Sequence, residues 1–328
     1  MTPRPLRAAV VGTGGIARGI HLPALAALSD EVEIVGVVDI DGERARETAA
    51  EFDTEAFTDL DTLLATAKPD LVVVATPPGA HKAAAIAALD AGASVWCEKP
   101  PALSLADYDE IASHEGADGP YATYVFQHRF GSAATRLRRH IDEGTLGAPR
   151  VAQCHTLWYR DDAYFEVPWR AKWATEGGGP TMGHGIHQMD LALSLLGEWT
   201  EVTALMGTLA RNTETEDVSA AVVRFASGAL CTVTNSLLSP RESSLLRFDF
   251  DDATVEVEHL YGYDNSHWRW TGAAHIDDQT VASWHPADDL ASSHAAQLRV
   301  LVDAIRRGER PPASGADGRR SLELVAGM

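Results

Sequence analysis

Cysteine is scarce in this chain of 328 residues: Cys97, Cys154 and Cys231 are far apart and odd in number. No disulfide framework or paired zinc-type spacing can be built from them, which points to a reducing compartment and to thiols buried as small apolar groups. Positive charge is scarce too. Lys and Arg number 27 against 47 Asp and Glu, a formal charge of −20. That balance argues against nucleic acid or an anionic membrane as partner, because binding phosphates needs a basic face. Lysine occurs at only four positions, Lys68, Lys82, Lys99 and Lys172. No apolar run approaches the ~18–20 residues of a membrane span. The start of the chain lacks the signal-peptide pattern, since its apolar run leads directly into a glycine loop with no cleavage site. A cytoplasmic location is the expectation. Internal repeats and low-complexity tracts are absent as well.

Apolar residues make up 45% of the chain, which is ordinary for a globular protein, and the length suggests two domains. The first third alternates strand and helix patterns. Leu6–Val11, Val32–Val38, Leu71–Ala75, Ala93–Cys97 and Tyr121–Phe126 read as strands. Helical stretches run from Ile16 to Leu28, Gly42 to Glu51, Ala80 to Ala91 and Ser104 to His114. Such alternation implies a doubly wound parallel sheet that binds ligands at the carboxyl ends of its strands. After residue 127 the texture changes. Arg136–Glu143, Gly185–Leu196 and Ser292–Arg307 read as helices. Val151–Tyr159 and four or five strands between Val202 and Val257 imply a second α/β domain with a large, mainly antiparallel open sheet. The expected domains are 1–126 and 127–328.

Gly12-Thr13-Gly14-Gly15-Ile16-Ala17 carries the G-x-G-x-x-G/A fingerprint between a strand and a helix. The first glycine makes the turn, the second admits a pyrophosphate, and the small Ala17 lets helix pack on strand. Asp39 ends the second strand, 22 residues beyond Ala17. A carboxylate there accepts from a ribose 2′-hydroxyl and repels a 2′-phosphate, so NAD is expected in preference to NADP. Arg44 reads as a solvated helix residue. Thr76, Pro77 and His81 follow the third strand and should border the ribose and nicotinamide; His81 reads equally well as a plain helix-start residue. Lys99 ends a buried strand before Pro100, where a partly desolvated ammonium can polarise a substrate oxygen. The plainer reading pairs it with Glu98.

The run Gly177-Gly178-Gly179 leads into His184, His187 and Asp190, spaced three apart and therefore along one side of a helix. His and Asp could ligate a metal, His187 could exchange a proton with a substrate hydroxyl, or both histidines could be core and cap residues. Beside a dinucleotide site the acid/base reading leads, because hydride transfer needs a proton acceptor and no metal. His155, Trp158, Tyr159, Arg160, Tyr164, Phe165, Trp169, Arg170, Lys172 and Trp173 form an aromatic and cationic segment. It suits the apolar C–H faces and the hydroxyls of a sugar, or else a core cluster.

The glycine loop, Thr76-Pro77-Pro78 with His81, Glu98-Lys99-Pro100, Trp169-Arg170 and the Gly177–Asp190 segment together resemble the glucose–fructose oxidoreductase/inositol dehydrogenase/MocA family. The resemblance implies a Rossmann domain followed by a domain whose open sheet packs in dimers or tetramers. It implies oxidation or reduction of a secondary alcohol or ketone of a sugar, inositol or related polyol with NAD(P). Lys99 and His187 would be the catalytic pair. Glu98, Trp169 and Arg170 would join the cofactor contacts. His128, Arg129, His155, Tyr159, Trp169 and His184 would join the substrate contacts, and Asp190 would be a substrate or structural ligand, with no metal. Alternatives are a glycosidase that oxidises its substrate transiently and a non-catalytic dinucleotide or sugar sensor. Gly183 stands where many members carry aspartate, and His184 is expected to substitute in part. The chain ends at Met328, early in what resembles the family's last helix, so different terminal packing is expected. The acidic excess is expected on solvated helices, leaving the open sheet sparse in charge.

Overall fold

The computed structural model describes residues 4–328. The chain forms two compact units, one running to Val125 and taking in Gln297–Arg319, the other comprising Phe126–Ala296 and Arg320–Met328. The sequence boundary after residue 126 gave all later residues to the second unit; segment 297–319 instead returns to the first. Its anchors are polar and specific. The Gln297 side chain donates to the Tyr124 carbonyl at 2.7 Å, and the Tyr108 hydroxyl donates to the Gly315 carbonyl at 2.7 Å. Strand propensity and periodicity carry no trace of such long-range bonds.

The first unit is built on β1 (Leu6–Val11), β2 (Val32–Val38), β3 (Ala56–Phe57), β4 (Leu71–Val74), β5 (Ser94–Cys97) and β6 (Ala122–Tyr124). Their order is β3-β2-β1-β4-β5-β6, with every pair parallel. β4 and β5 are buried along their whole length, as continuous Val- and Leu-rich runs require when helices cover both faces. The strand order reverses direction between β1 and β4, the position where this topology opens a crevice for a ligand. Helices start on side-chain caps: Asp41 accepts from Glu43 and Arg44, Asp59 from Thr62, and Ser104 from Asp107.

The second unit holds a seven-stranded sheet. Its strands are β7 (Pro149–Tyr159), β8 (Trp199–Gly207), β9 (Val218–Phe225), β10 (Leu230–Ser236), β11 (Leu238–Phe250), β12 (Ala253–Glu258) and β13 (Trp268–Gly272). The order is β13-β12-β11-β7-β10-β9-β8. The central β7–β10 pair is parallel and the other pairs are antiparallel. One face buries Ala152, Cys154, Cys231, Val233, Leu246 and Phe248, and the helix Ile186–Leu196 joins it through a Thr156–Gln188 hydrogen bond of 3.1 Å. The opposite face exposes Val151, Leu205, Val222 and Leu230 around β7–β10. Toward β11–β13 that face is charged, with Arg247 paired to Asp249 and Glu256. The expected scarcity of charge therefore holds only around Val151, Leu205, Val222 and Leu230, next to an exposed Arg224–Glu201 pair on β9 and β8. Among the described residues no helix is long and apolar enough to cross a membrane.

Candidate active site

In the first unit, Gly12 follows β1 with φ +88°, and a Cβ there would stand 2.8 Å from the Ala75 carbonyl oxygen. Only glycine fits where β1 and β4 diverge. Gly14 and Gly15 would place a Cβ in open space, so their backbone is accessible to a phosphate. The chain then enters a wide i→i+5 helical turn, Ala17–His21, with Ala17 fully buried. These features fit a dinucleotide: a tight turn, exposed backbone before a helix start, and close helix–strand packing. Asp39 is buried just past β2. Burial alone would raise its pKa, but bonds from Arg44, Asp41 and Thr13 outweigh it and hold the carboxyl down at about 2. It is therefore ionised at any physiological pH.

His81 is fully buried, with its ring nitrogens 2.9 Å from the carbonyls of Pro100 and Thr76. Burial pushes its basicity down, so a neutral ring donates to one carbonyl at a time and ties the turn after β4 to the turn after β5. Glu98 is buried and meets Nε2 of His21 at 2.7 Å, and its other oxygen accepts from the Lys99 amide at 3.2 Å. The sequence reading missed His21. Its one signal is a histidine among the small and apolar residues that follow Arg18. Lys99 is half-buried at the carboxyl end of β5.

In the second unit, the glycine-rich run docks a helix start onto the sheet. A Cβ at Gly185 would lie 1.9 Å from Oδ1 of Asn235 on β10, so no larger residue is accommodated. Glu216 accepts from the amides of Gly179 and Thr181 at 2.9 and 3.1 Å. Beyond this docking point the three polar residues of the motif turn to different partners. His187 is buried, with its ring 5.2 Å from His128 and 5.7 Å from Tyr261. His128 also lies 4.6 Å from Tyr263, whose hydroxyl accepts from Gln188 at 3.0 Å. Gln127 donates to the Tyr261 hydroxyl and steadies that ring. Tyr261 and Tyr263 were not singled out from sequence; their signal is an aromatic pair in the gap after the β12 pattern.

His184 faces Tyr164, with Nε2 3.1 Å from the phenol oxygen, and Trp158, with its ring at 5.2 Å. Burial pushes the Tyr164 phenol up, although the Arg170 cation opposes it. The protonated phenol donates to His184 while accepting from Arg170, whose guanidinium lies 3.9 Å from the ring centre and 4.4 Å from that of Trp169. Asp190 is buried against Arg129, whose Nε donates to it at 2.5 Å, and it accepts from the Ser321 hydroxyl at 2.7 Å.

His155 and Tyr159 are not brought to this cluster. β7 alternates its side chains, sending Thr156 and Trp158 to the buried face and His155 and Tyr159 to the opposite one. Tyr159 lies beneath the Arg211 guanidinium instead.

A Cβ at Gly183 would stand 3.5 Å from Oε1 of the buried Glu176, so a carboxylate already occupies the neighbourhood of the missing one. Gly183→Asp would set a second anion beside it. We expect Tm to fall by ~2–8 °C, for a cost of about 1–2 kcal/mol, and Glu176→Gln in the same chain to restore most of it. Calorimetry on the single and double variants checks this; an unchanged Tm would mean the two groups do not meet.

The glycine loop and Asp39 define a dinucleotide-binding fold, and the family that the chain matches makes it that of an oxidoreductase. Residues 6–121 match the family model for the oxidoreductase family, NAD-binding Rossmann fold, and residues 134–258 match the GFO/IDH/MocA C-terminal domain. The chain belongs to the Gfo/Idh/MocA family of NAD-binding oxidoreductases. It is 32% identical over 201 residues to D-glucoside 3-dehydrogenase of Escherichia coli, a match covering 60% of this chain and 56% of that protein. It is 27% identical over 342 residues to myo-inositol 2-dehydrogenase of Thermotoga maritima, covering 97% and 94%. The crystal structure of the WlbA dehydrogenase from Bordetella pertussis, in complex with NADH and UDP-GlcNAcA, superposes with TM-score 0.88 at 26% identity over 99% of this chain and 95% of that one.

Proposed function

We propose that the protein transfers hydride between NAD and a secondary alcohol or ketone of a sugar, inositol or related polyol, with His187 as the acid/base and Lys99 as the group that polarises the substrate oxygen. The observation that carries this reading is the setting of His187: a buried imidazole at the start of a docked helix, flanked by His128 and the Tyr261 ring. An imidazole so placed can exchange a proton with a substrate hydroxyl, and aromatic walls suit the C–H faces of a polyol. NAD, when bound, supplies the hydride acceptor. In the oxidative direction His187 takes the hydroxyl proton, while the Lys99 ammonium steadies charge on the oxygen.

The names of the relatives, a glucoside and an inositol dehydrogenase, support this substrate class. The three free, buried cysteines fit a cytoplasmic protein. The apolar patch on the open sheet fits self-association into a dimer or tetramer. A panel of sugars, glucosides and inositols, each incubated with NAD or NADP and read by the appearance of reduced cofactor, tests the proposal. At least one polyol should yield stoichiometric NADH. Substrate consumption without NADH accumulation would instead indicate oxidation that reverses within each turnover, and no reaction with any member would sink the reading.

A further inference from the structure

The Asp39 carboxylate is already saturated. Oδ2 accepts from the Thr13 amide at 2.8 Å, the Thr13 hydroxyl at 3.0 Å and Nε of Arg44 at 3.1 Å. Oδ1 accepts from the Asp41 amide at 3.0 Å and Nη2 of Arg44 at 2.6 Å. A carboxylate offers about four lone-pair sites, so a ribose diol finds no acceptor while Arg44 stays. The bonds from Thr13 and Asp41 hold the backbone around the glycine loop. The Arg44 fork is the movable part: its side chain is 42% exposed against 6% for Asp39. Its departure leaves Oδ2 with the two Thr13 bonds and Oδ1 with the Asp41 amide alone, which opens one acceptor position, on Oδ1, for a ribose hydroxyl. Next to Asp39, Ile40 is 97% exposed, an apolar surface that an adenine ring can cover.

We propose that Arg44 determines cofactor specificity: its fork competes with a ribose hydroxyl of NAD for Asp39, and the released guanidinium pairs with the 2′-phosphate of NADP, so that the protein takes both dinucleotides. The inference rests on the dinucleotide reading of the glycine loop. It reverses the expectation that Arg44 is merely solvated. A guanidinium fork matches phosphate oxygens in the same two-bond manner as it matches a carboxylate. Once turned from Asp39 toward a phosphate, it also screens that carboxylate's repulsion of the 2′-phosphate.

The competition predicts effects of opposite sign in one variant. NADH and NADPH binding to wild type and Arg44→Ala is titrated by nicotinamide fluorescence, with no substrate present. Wild type is expected to bind NADPH within about tenfold of NADH. Arg44→Ala should bind NADH about two- to fivefold more tightly, the scale of removing a half-exposed competing ion pair. It should bind NADPH at least about tenfold more weakly, the scale of a lost charge-assisted phosphate pair. Weaker NADH binding in the variant would make Arg44 a direct contact and overturn the inference. An unchanged NADH/NADPH ratio, with NADH binding intact, would overturn it while leaving the dinucleotide reading standing. Failure of wild type to bind either dinucleotide would overturn both.

Discussion

Replacing His187 by asparagine is expected to lower kcat by about 10²–10⁴, the usual contribution of a positioned general acid/base, while NADH still binds to the first unit with wild-type affinity. Asparagine keeps a polar side chain of similar size beside His128 and Tyr261, so a collapsed fold does not explain the loss. Lys99→Ala should produce a loss of comparable size. Lys99 sits at the end of β5 with its backbone amide bonded to Glu98, and removal of its ammonium takes away the charge that stabilises the developing alkoxide. The two variants separate by pH. Loss of His187 should remove the pH dependence that a general base gives kcat/KM; loss of Lys99 should lower the profile with that dependence retained. Steady-state kinetics on the best substrate of the panel, with nicotinamide fluorescence for binding, checks both. A His187→Asn enzyme within threefold of wild type, or a Lys99→Ala enzyme with full activity, would refute the assigned roles.

Most of the first unit was legible because its signals are local. Long Val- and Leu-rich runs name buried parallel strands, and Gly12 and Asp39 sit where strand ends meet a nucleotide. Elements without a local signal were not. β3 has two residues, too few for a periodic pattern. Helix Gly315–Gly327 was expected only from the family resemblance, because Gly315, Gly318 and Gly327 are residues that usually mark turns. Gly318 is demanded by packing, since a Cβ there would lie 2.9 Å from the Tyr108 hydroxyl. β11 extends back to Leu238 through a register break before Ser243, and Pro240 obscured that part of the strand. The open sheet also proved to contain the parallel β7–β10 pair at its centre, because strand order depends on contacts distant in sequence. Among the site residues, the spacing of His184, His187 and Asp190 was visible but their divergence was not. Their partners Tyr164, Tyr261 and Arg129 come from other elements.

Asp190 illustrates how placement decides a role. From sequence it is a substrate or a structural ligand; in the fold it is almost fully buried, facing Arg129, and their side chains are 1% and 10% exposed. Arg129 forms a two-point bridge to both carboxylate oxygens, and the Ser321 hydroxyl adds a third donor. Asp190→Asn keeps the shape but removes the negative charge, leaving the guanidinium buried beside an amide. Breaking one side of such a pair costs ~3–5 kcal/mol, whereas replacing both partners by apolar groups is often nearly neutral. We therefore expect Asp190→Asn to lower Tm by ~6–20 °C and Arg129→Met/Asp190→Leu to recover most of that loss. The recovery is the decisive arm, because it separates a structural pair from a substrate ligand. In the structural case the double variant is stable and its KM changes severalfold at most. A substrate ligand would show the reverse: Asp190→Asn would melt like wild type, while KM rose about tenfold or more in both variants. Differential scanning calorimetry and KM on the same preparations distinguish the two.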